Sequence, residues 1–512
     1  MAFKAKNINI ETGADIILVS EHDARLLNIR AGDRLNVKIG SKQAVAIANV
    51  TSIVPSGTLG ITKSLGEELK AKNGENVDIS LAEQPKSLLA IKERINGKRL
   101  EYEDFFEIIK DGLKNKLSRE ELTAFVVALN IYSLDLEEAE HLSNAMVNTG
   151  EYLELDKKRI YDKHSIGGVP GDKTSLLVVP TVAAAGLTIP KTSSRAITSA
   201  AGTADRAEVL MPVTLSVKEM KQVVNKTNGC LVWGGAMHLA PADDMFIKIE
   251  YPLSIDPLLL PSILSKKRAV GATDLVLDIP IGETVKIKTK EEANLLAKDF
   301  ITLGERMGIS VRSAVTNGQQ PVGYAIGAAA EAQEALALLE GRRSVPDLLD
   351  KAASIAGILI EMSGKKNGRA IAEKLIRRGA SEKKLREIIA EQGGNEKIKS
   401  EEIQLGKHSI DMISDLNGNV ISIDNMALAS TARLAGAPLI KSAGIIMHKK
   451  LWSEVHKGDV LFTIYSDSAP KLYAAEKYAT SAIPVLVASG SKMLIKEISQ
   501  KRTVARKFIF ER

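Results

Sequence analysis

Short apolar runs separated by turn-forming residues characterise the first 84 residues of the chain. Runs such as IILVS and AVAIANV are divided by Gly32-Asp33, Gly40-Ser41 and Pro55-Ser56-Gly57. Short apolar runs bounded by glycine, proline and aspartate are typical of strands. The pattern therefore predicts a small N-terminal β-rich domain over residues 1–84.

The apolar spacing changes to a helical period over residues 100–150, after a linker around Pro85. Ser118 and Glu121 form a capping-box pair, and apolar residues then recur at helical spacing as far as Leu129. A second helix is predicted to begin after Asp135. The chain is therefore expected to form a helical domain over residues 85–157.

From residue 158 to residue 335, β-type runs such as CLVW and DLVLDIPI alternate with helical stretches. This alternation is typical of an α/β domain with a mainly parallel sheet. A helical segment and linker are predicted over 336–400, and a C-terminal α+β domain over 401–512. The predicted fold class is a multidomain combination of α/β and α+β.

The composition excludes several classes of protein. The 512 residues are 45% hydrophobic and 26% charged, as in an ordinary globular protein. The net charge of +6 is mild, and no basic cluster with stacking aromatics indicates a nucleic-acid partner. The longest uncharged stretch, residues 174–190, is shorter than a membrane helix requires.

Cysteine and histidine usage limits the chemistry further. The single Cys230 excludes an intramolecular disulfide and cysteine-rich metal sites. No two of the seven histidines have the spacing of a helical metal pair, so no metal site is expected. We expect a cytoplasmic protein with neither a membrane nor a nucleic acid as partner.

The window KHSIGGVPGDKTS, residues 163–175, places three glycines directly before an apolar helical run. Glycines let the backbone approach a ligand, and successive N–H groups at a helix start bind anions. Lysine and serine side chains add charge and hydroxyl donors. The spacing is not that of a Walker P-loop. The window favours a phosphate site, and the alternative is a tight turn that packs a helix onto a sheet.

A second window, KTSSRAITSAAGTADRAEVL at residues 191–210, has the same character. Five hydroxyl side chains and Arg195 lie between Ser193 and Thr203. A serine-capped helix start is the alternative, but it accounts for only one or two hydroxyls. The two windows together indicate two walls of one anionic site.

Both windows resemble the signature segments of the pyrimidine-nucleoside phosphorylase family. The matching segments are KHSIGGVPGD and SSRAITSAAGTAD, and the resemblance continues through WGGAMHLAPADD and NGQQPVGYAIG. The domain before residue 85 and the inserted Pro170 resemble the AMP-phosphorylase branch of the family. The resemblance covers nearly the whole chain.

The resemblance implies a glycosyltransferase that catalyses phosphorolysis. Inorganic phosphate would attack C1′ of a nucleoside or nucleoside 5′-monophosphate and release the free base. The other product would be (deoxy)ribose 1-phosphate or ribose 1,5-bisphosphate. Phosphate would be a co-substrate, with no cofactor. The family also implies a homo-oligomer, a dimer or larger, formed through the helical domain.

The resemblance also assigns site residues. His164 corresponds to the active-site histidine, and Asp256 to the proposed proton donor to the base. The phosphate-binding positions are Lys163, Ser165, Ser175, Ser193 and Thr203. The nucleotide-contacting positions are Gly168, Ser194, Arg195, Ala196, Ile197, Thr198, Ser199, Thr203, Ser262, Lys266 and Lys286.

Two questions stay open at this point. Asp256 precedes Pro257, so a helix-capping role is the alternative to proton donation. Ile247 occupies the position where thymidine phosphorylases carry a base-binding arginine, whereas Lys266 matches their second base-binding residue. The base pocket therefore leans towards the AMP-type branch.

A phosphoribosyltransferase of the anthranilate type is the alternative function. Its fold and serine-rich loops are similar, but its chemistry would use phosphoribosyl pyrophosphate and Mg²⁺ held by paired acids. Asp243-Asp244 is the local candidate for such a pair.

Overall fold

The computed structural model describes residues 3–12, 15–196, 199–237 and 239–489. Two of the predicted nucleotide-contacting residues, Ile197 and Thr198, lie outside the described residues. The described chain is a mixture of helices and sheets, which confirms the predicted mixed α/β class. Among the described residues, no helix combines the length and apolar character needed to cross a membrane.

The N-terminal segment forms a closed barrel in the strand order β1-β5-β2-β4-β3-β6. Alternate side chains such as Leu35 and Val37 point inward and are fully buried. Its strands are β1 (Phe3–Ile8), β2 (Ile16–Ser20), β3 (Arg34–Ile39), β4 (Lys42–Thr51), β5 (Thr58–Thr62) and β6 (Asn76–Leu81). Its helices are α1 (Glu21–Leu27) and α2 (Lys63–Leu69).

A helical layer follows the barrel. Its helices are α3 (Lys86–Ile95), α4 (Tyr102–Leu113), α5 (Arg119–Tyr132) and α6 (Leu136–Asn148). The capping box of Ser118 and Glu121 begins α5 as predicted. Arg34 of the barrel donates from Nε to the carbonyl oxygen of Lys116 at 2.6 Å and pairs with Glu121. The barrel is therefore attached to the start of α5.

The next segment is built around parallel strands. These are β7 (Tyr161–Ser165), β8 (Ile189–Ser193), β9 (Gly229–Trp233), β10 (Asp274–Ile281) and β11 (Ser310–Asn317). Both β11-β10-β7 and β8-β9 pair in parallel. The amide of Tyr161 donates to the carbonyl of Thr188 at 2.8 Å, and the side chains of Asp162 and Lys191 pair. The two sheets therefore run in the same direction, and their carboxyl ends share one edge.

Helices connect and cover these strands. They are α7 (Thr174–Ala184), α8 (Thr203–Ala207), α9 (Val217–Thr227), α10 (Pro241–Leu253), α11 (Leu259–Ala269) and α12 (Lys290–Arg306). The uncharged run at residues 174–190 begins with α7, which contains Pro180 and is buried along almost its whole length. Phe246 of α10 packs against Phe125 of α5, with 5.9 Å between ring centroids. Helix α10 thus belongs to the core of the helical layer, although it lies far from that layer in sequence.

Further helices pack against α7 from the far side. They are α13 (Ala328–Leu339), α14 (Pro346–Met362), α15 (Gly368–Arg377) and α16 (Ala380–Glu391). Alanine and leucine on α13 and α14 share one apolar core with α7. Helix α14 also brings Lys351 to the carboxyl edge of the parallel strands.

The last segment is α+β. Its strands form the sheets β12-β15-β17-β13 and β16-β14-β18. The strands are β12 (Ala325–Ile326), β13 (His408–Ile413), β14 (Gly418–Ile423), β15 (Gly444–Met447), β16 (Glu454–Val455), β17 (Val460–Ser466) and β18 (Val485–Ala488), and the helices are α17 (Asn425–Leu434) and α18 (Ala469–Ala482). Because β12 lies within the preceding segment of the chain, it joins the C-terminal sheet to the α/β part.

Candidate active site

The carboxyl edge of the parallel strands carries several of the predicted site residues. Lys163, His164 and Ser165 are the last residues of β7, and Ser193 is the last residue of β8. In open α/β sheets, ligands bind outside the carboxyl ends of the strands. Ser175 lies in the first turn of α7, and Thr203 is the first residue of α8.

The glycine-rich loop after β7 packs tightly against two other segments. Gly168 has a φ of +90°, and a Cβ there would lie 3.1 Å from the backbone nitrogen of Lys286. A Cβ at Gly171, where φ is +72°, would lie 2.7 Å from the carbonyl oxygen of Ala325. Glycine is therefore required at both positions for conformation and for space. The packing places Gly168 and Lys286, both predicted nucleotide contacts, side by side.

Asp172 in this loop is the centre of a buried ion network. Its Oδ2 lies 3.4 Å from Nζ of Lys351 and 4.0 Å from Nζ of Lys163. Lys351 also contacts Asp278 Oδ2 at 2.9 Å. Burial opposes ionisation of Asp172, but Lys163 and Lys351 hold the pKa of its carboxyl well below the usual range. The loop is thus fixed to β7, β10 and α14 by charge.

Lys173, which the sequence places in the same donor-rich window, points into the protein. Its Nζ donates to the carbonyl oxygens of Val322 and Ala325, each at 2.9 Å, and pairs with Glu334 at 2.7 Å. Its side chain is fully buried. Lys173 therefore holds the loop in place and does not face the strand ends. The lysine that lies at the end of a strand is Lys163.

A second buried ion network is centred on Asp162, two residues before His164 in β7. Asp162 Oδ2 is 2.7 Å from Nζ of Lys267, and its Oδ1 is 3.5 Å from Nζ of Lys191. Burial, followed by the charges of Lys267 and Lys191, holds the pKa of His164 well below its usual range. The imidazole is consequently neutral at neutral pH, able to donate from one nitrogen and accept at the other.

The serine-rich loop after β8 is held by acidic residues. Arg195 contacts both carboxylate oxygens of Glu208 at 2.7 and 2.6 Å, and its guanidinium lies 4.9 Å from the ring centroid of Trp233. Asp205 accepts from the backbone amides of Ala196 and Gly202 at 2.7 and 2.8 Å. The Arg195 side chain and the Ala196 amide are thus used in shaping the loop.

The remaining hydroxyls around this loop differ in exposure. Ser194 is exposed, whereas Ser193 and Ser199 are half-buried and donate to carbonyl oxygens at 3.2 Å. Because a hydroxyl has one hydrogen, Ser193 can donate to a phosphate oxygen only if it gives up its bond to the carbonyl of Val232.

Two of the predicted nucleotide-contacting residues lie on one face of α11. Ser262 and Lys266 are one turn apart, and Lys266 Nζ contacts Ser262 Oγ at 3.2 Å and Asp243 Oδ2 at 2.8 Å. Asp243 is one of the two acids that the phosphoribosyltransferase alternative would use to hold Mg²⁺, and here it is paired with Lys266. Within the described ranges, no group of three or more His, Cys, Asp or Glu side chains is placed to hold a metal ion.

Asp256 lies in the turn between α10 and α11. The N-cap of α11 is Leu258, and no side chain caps this helix. The Asp256 carboxylate instead lies 3.3 Å from Nζ of Lys286, and both side chains are about half-exposed. The side chain is therefore accessible beside the glycine-rich loop, and the capping interpretation is not observed.

Glu250, which sequence reasoning missed, lies behind this turn. Its Oε1 accepts from the backbone amide of Leu258 at 3.2 Å, and the residue is 6% exposed. Burial, followed by the nearby charge of Asp256, raises the pKa of Glu250 to about 7. The only signal in the sequence is a glutamate on the apolar side of α10.

Comparisons with known proteins cover the whole chain. Residues 157–382 match the glycosyl transferase family, a/b domain, and residues 419–485 match the pyrimidine nucleoside phosphorylase C-terminal domain. The AMP phosphorylase of Thermofilum pendens is 45% identical over 514 residues, covering 100% of both chains. AMP phosphorylase 1 of Archaeoglobus fulgidus is 46% identical and covers 95% of this chain and 97% of that protein.

A solved structure shares part of the fold. Anthranilate phosphoribosyltransferase (TrpD) from Thermus thermophilus matches with a TM-score of 0.51 and 20% identity, covering 59% of this chain and 99% of that chain. At this identity the likeness concerns the fold alone. The full-length relatives do not favour the phosphoribosyltransferase alternative.

The parallel sheet, its cation-lined edge and the matched catalytic domain define a glycosyltransferase. The chain belongs to the pyrimidine-nucleoside phosphorylase family and resembles its AMP-phosphorylase branch. It is accordingly a nucleoside or nucleotide phosphorylase, as the sequence predicted.

The raised pKa of Glu250 predicts a pH-dependent gain in stability for Glu250→Gln. In the folded state the pKa of Glu250 is about 7, so its carboxyl stays protonated up to about that pH, whereas the usual pKa of a glutamate is 4.5. The charged form therefore destabilises the folded state increasingly between these values, by up to about 3 kcal/mol above pH 7. Glutamine keeps an oxygen for the Leu258 amide and never ionises. Thermal unfolding should give the variant a higher Tm than wild type at pH 8 and a similar Tm at pH 5.

The exposed Glu305→Gln is the matched control, with an expected change of less than about 0.5 kcal/mol at both pH values. An equal difference between Glu250→Gln and wild type at pH 5 and pH 8 would show that Glu250 is charged at both.

Proposed function

We propose that the chain is an AMP-type phosphorylase. It transfers the ribosyl 5′-phosphate group of a nucleoside 5′-monophosphate to inorganic phosphate and releases the free base. The observation that carries this proposal is the shared carboxyl edge of β7 and β8, which presents Lys163 and Ser165 from one strand and Ser193 from the other. Inorganic phosphate is proposed as the co-substrate, and no cofactor is proposed.

Phosphate binds at this edge in the proposed mechanism. Lys163 supplies the charge, and hydroxyls supply further hydrogen bonds to the oxygens. An oxocarbenium-like transition state requires a positioned anion on one face of the sugar, and fixed donors reduce the cost of placing it there. The donors proposed with Lys163 are Ser165, Ser175, Ser193 and Thr203.

The base leaves on the opposite side. A phosphate oxygen forms the bond to C1′ while the C1′–N bond breaks and its electron pair goes to the base. Asp256 donates a proton to a ring nitrogen, which relieves the charge on the leaving group. Its side chain is half-exposed beside Lys286 and Gly168. Lys286 favours the ionised carboxylate, so the role requires that Lys286 turns to the bound nucleotide and that Asp256 takes up the proton before it donates it. His164, neutral at the end of β7, positions the sugar or base by hydrogen bonding.

The 5′-phosphate is proposed to bind at the loop after β8. Glu208 fixes Arg195 there, so the loop contributes mainly its backbone and its hydroxyls. Ile247 supports an AMP-type base over a pyrimidine, because its apolar side chain cannot donate to a pyrimidine carbonyl. Thymidine is the second candidate substrate, favoured by Lys266, which matches the second base-binding residue of thymidine phosphorylases and contacts Ser262 Oγ at 3.2 Å.

The chain is further proposed to form a homo-oligomer through the helical layer. Large apolar side chains are exposed there, with Leu89 at 64% and Ile131 at 66% exposure. A second copy packed on this layer would cover these side chains, and the family resemblance supports the same layer.

Wild-type protein should release adenine from AMP only when inorganic phosphate is present, and equally well in EDTA. His164→Ala and Ser165→Ala should each lower this rate at least about tenfold, because each removes a hydrogen bond to the reacting groups worth about 1.4 kcal/mol. The measurement is the rate of adenine release, monitored by chromatography, and the Tm of each variant confirms that it folds.

His456→Ala, at a side chain that is 72% exposed, is the matched control and should keep wild-type activity. Full activity in both site variants would contradict the site assignment. Dependence on Mg²⁺ and pyrophosphate would indicate the phosphoribosyltransferase chemistry.

Asp256→Asn should affect purine substrates more than thymidine. General acid catalysis contributes about 100-fold or more, and asparagine cannot supply the proton. A purine can accept that proton at a second ring nitrogen. The second ring nitrogen of thymine already carries a hydrogen, and the carbonyl oxygens of thymine share the negative charge as it leaves. We expect at least about a 100-fold loss for AMP and less than about a tenfold loss for thymidine. Equal losses for both substrates would contradict the proposed role of Asp256 as proton donor.

A further inference from the structure

A cavity of about 870 Å³ lies away from the strand ends, between the end of α13, the start of α14 and helices α15 and α16. None of the residues assigned above to phosphate or nucleotide lines it. Its lining contains three acids, Glu340, Glu382 and Glu396. The cations of the lining are Arg342, Arg343, Arg377, Arg386, Lys397 and Lys399.

Pairing within the lining uses only part of this positive charge. Arg386 contacts Glu340 at 3.0 Å and also pairs with Glu382. Arg342 lies 3.4 Å from Glu340 and also pairs with Glu401, and Arg377 lies 2.8 Å from Glu373, so acids outside the lining neutralise part of the charge as well. Lys397 and Lys399 are exposed at the rim, and no ion pair of either is found among the described residues. These two lysines, beside arginines that share their acids, attract an anion with several charges.

The inner wall is apolar. Val345, Leu349 and Ile376 lie behind the charged rim. A cavity with an apolar wall and clustered cations suits an organic body that carries grouped phosphates. A nucleoside polyphosphate has this chemistry, and an inorganic polyphosphate shares its charged part.

One cation of the cavity reaches the network behind the phosphate loop. Arg343 Nη2 lies 3.4 Å from Glu334 Oε1, and Glu334 Oε2 lies 2.7 Å from Nζ of Lys173. Glu334 also accepts from the backbone amides of Tyr324 and Ala325. Lys173 holds the glycine-rich loop, so Glu334 links the cavity to that loop through direct contacts.

We propose that this cavity is an effector site for a small polyphosphate anion, and that its occupation weakens the binding of phosphate at the strand ends. A bound anion competes with Glu334 for Arg343. Glu334 then bears less compensated negative charge next to the loop, and the anion adds its own. Both changes make the buried edge less favourable for phosphate. The coupling to phosphate rests on the proposed function, whereas the binding does not.

The first test is calorimetric titration of the full chain with inorganic tripolyphosphate at low salt, without substrates. We expect two classes of site in wild-type protein. The rim variant Arg377→Ala/Lys397→Ala should lose one class, with a Kd at least about tenfold higher, because two charged contacts are removed. The charge-matched control Arg378→Ala/Lys383→Ala removes exposed cations that do not line the cavity and should keep both classes.

Repeating the titration with ATP distinguishes the two sources of the charge. Tighter binding than tripolyphosphate, lost in the rim variant, assigns the site to a nucleotide that uses the apolar wall. Equal or weaker binding, also lost in the rim variant, assigns it to an inorganic polyphosphate.

The second test is kinetic. Tripolyphosphate should raise the KM for phosphate about fivefold more in wild type and in the control than in the rim variant, at the lower end of ordinary coupling energies. Identical binding in the rim variant and the control would overturn the effector site. Loss of binding without a difference in KM would overturn the coupling. Because binding is measured without catalysis, failure of the proposed function would leave unchanged the class of site that the rim variant loses.

Discussion

The structure of the active site depends on the buried carboxylate of Asp172. It lies between Lys163 at the end of β7 and Lys351 of α14, and Lys351 also contacts Asp278 of β10. Removing one partner from such a group is costly, because a buried charge is left uncompensated. The network therefore fixes the position of the glycine-rich loop relative to the strand ends. The proposed phosphate-binding residues Ser165 and Ser175 lie at the two ends of that loop, so their relative position depends on the network.

The same arrangement recurs around the site. Asp162 is held by Lys191 and Lys267, and Glu334 is held by Lys173. Buried ion pairs contribute little net stability compared with apolar packing, but they position groups precisely when all partners are present. Burial, together with the lysines near β7, holds the pKa of His164 well below its usual range and keeps the imidazole neutral. The proposed phosphate site thus lies beside an uncharged imidazole.

The candidate residues of the site could be named from the sequence because they are clustered in two short windows that resemble family segments. The strands that end at Ser165 and Ser193 could not be predicted, because YDKHS and IPKTS lack the apolar runs that indicate strands elsewhere in this segment. The inward direction of Lys173 could not be predicted, because its partner Glu334 comes from a helix that no local pattern connects to the loop. The partner of Asp172, Lys351, is 179 residues away in the chain. The packing of α10 into the helical layer, and the position of Glu250 behind Asp256, depend on tertiary contacts of the same kind.

The most direct measurement of the central claim is the KM for phosphate and for AMP in Asp172→Asn. Asparagine retains an oxygen for local hydrogen bonds but removes the charge that fixes the loop. The account predicts an increase of about tenfold or more in the KM for phosphate, equivalent to about 1.4 kcal/mol, with the KM for AMP changed less than about twofold. The exposed Asp350→Asn serves as control. An unchanged KM for phosphate in a folded variant, or an equal rise for both substrates, would contradict the account.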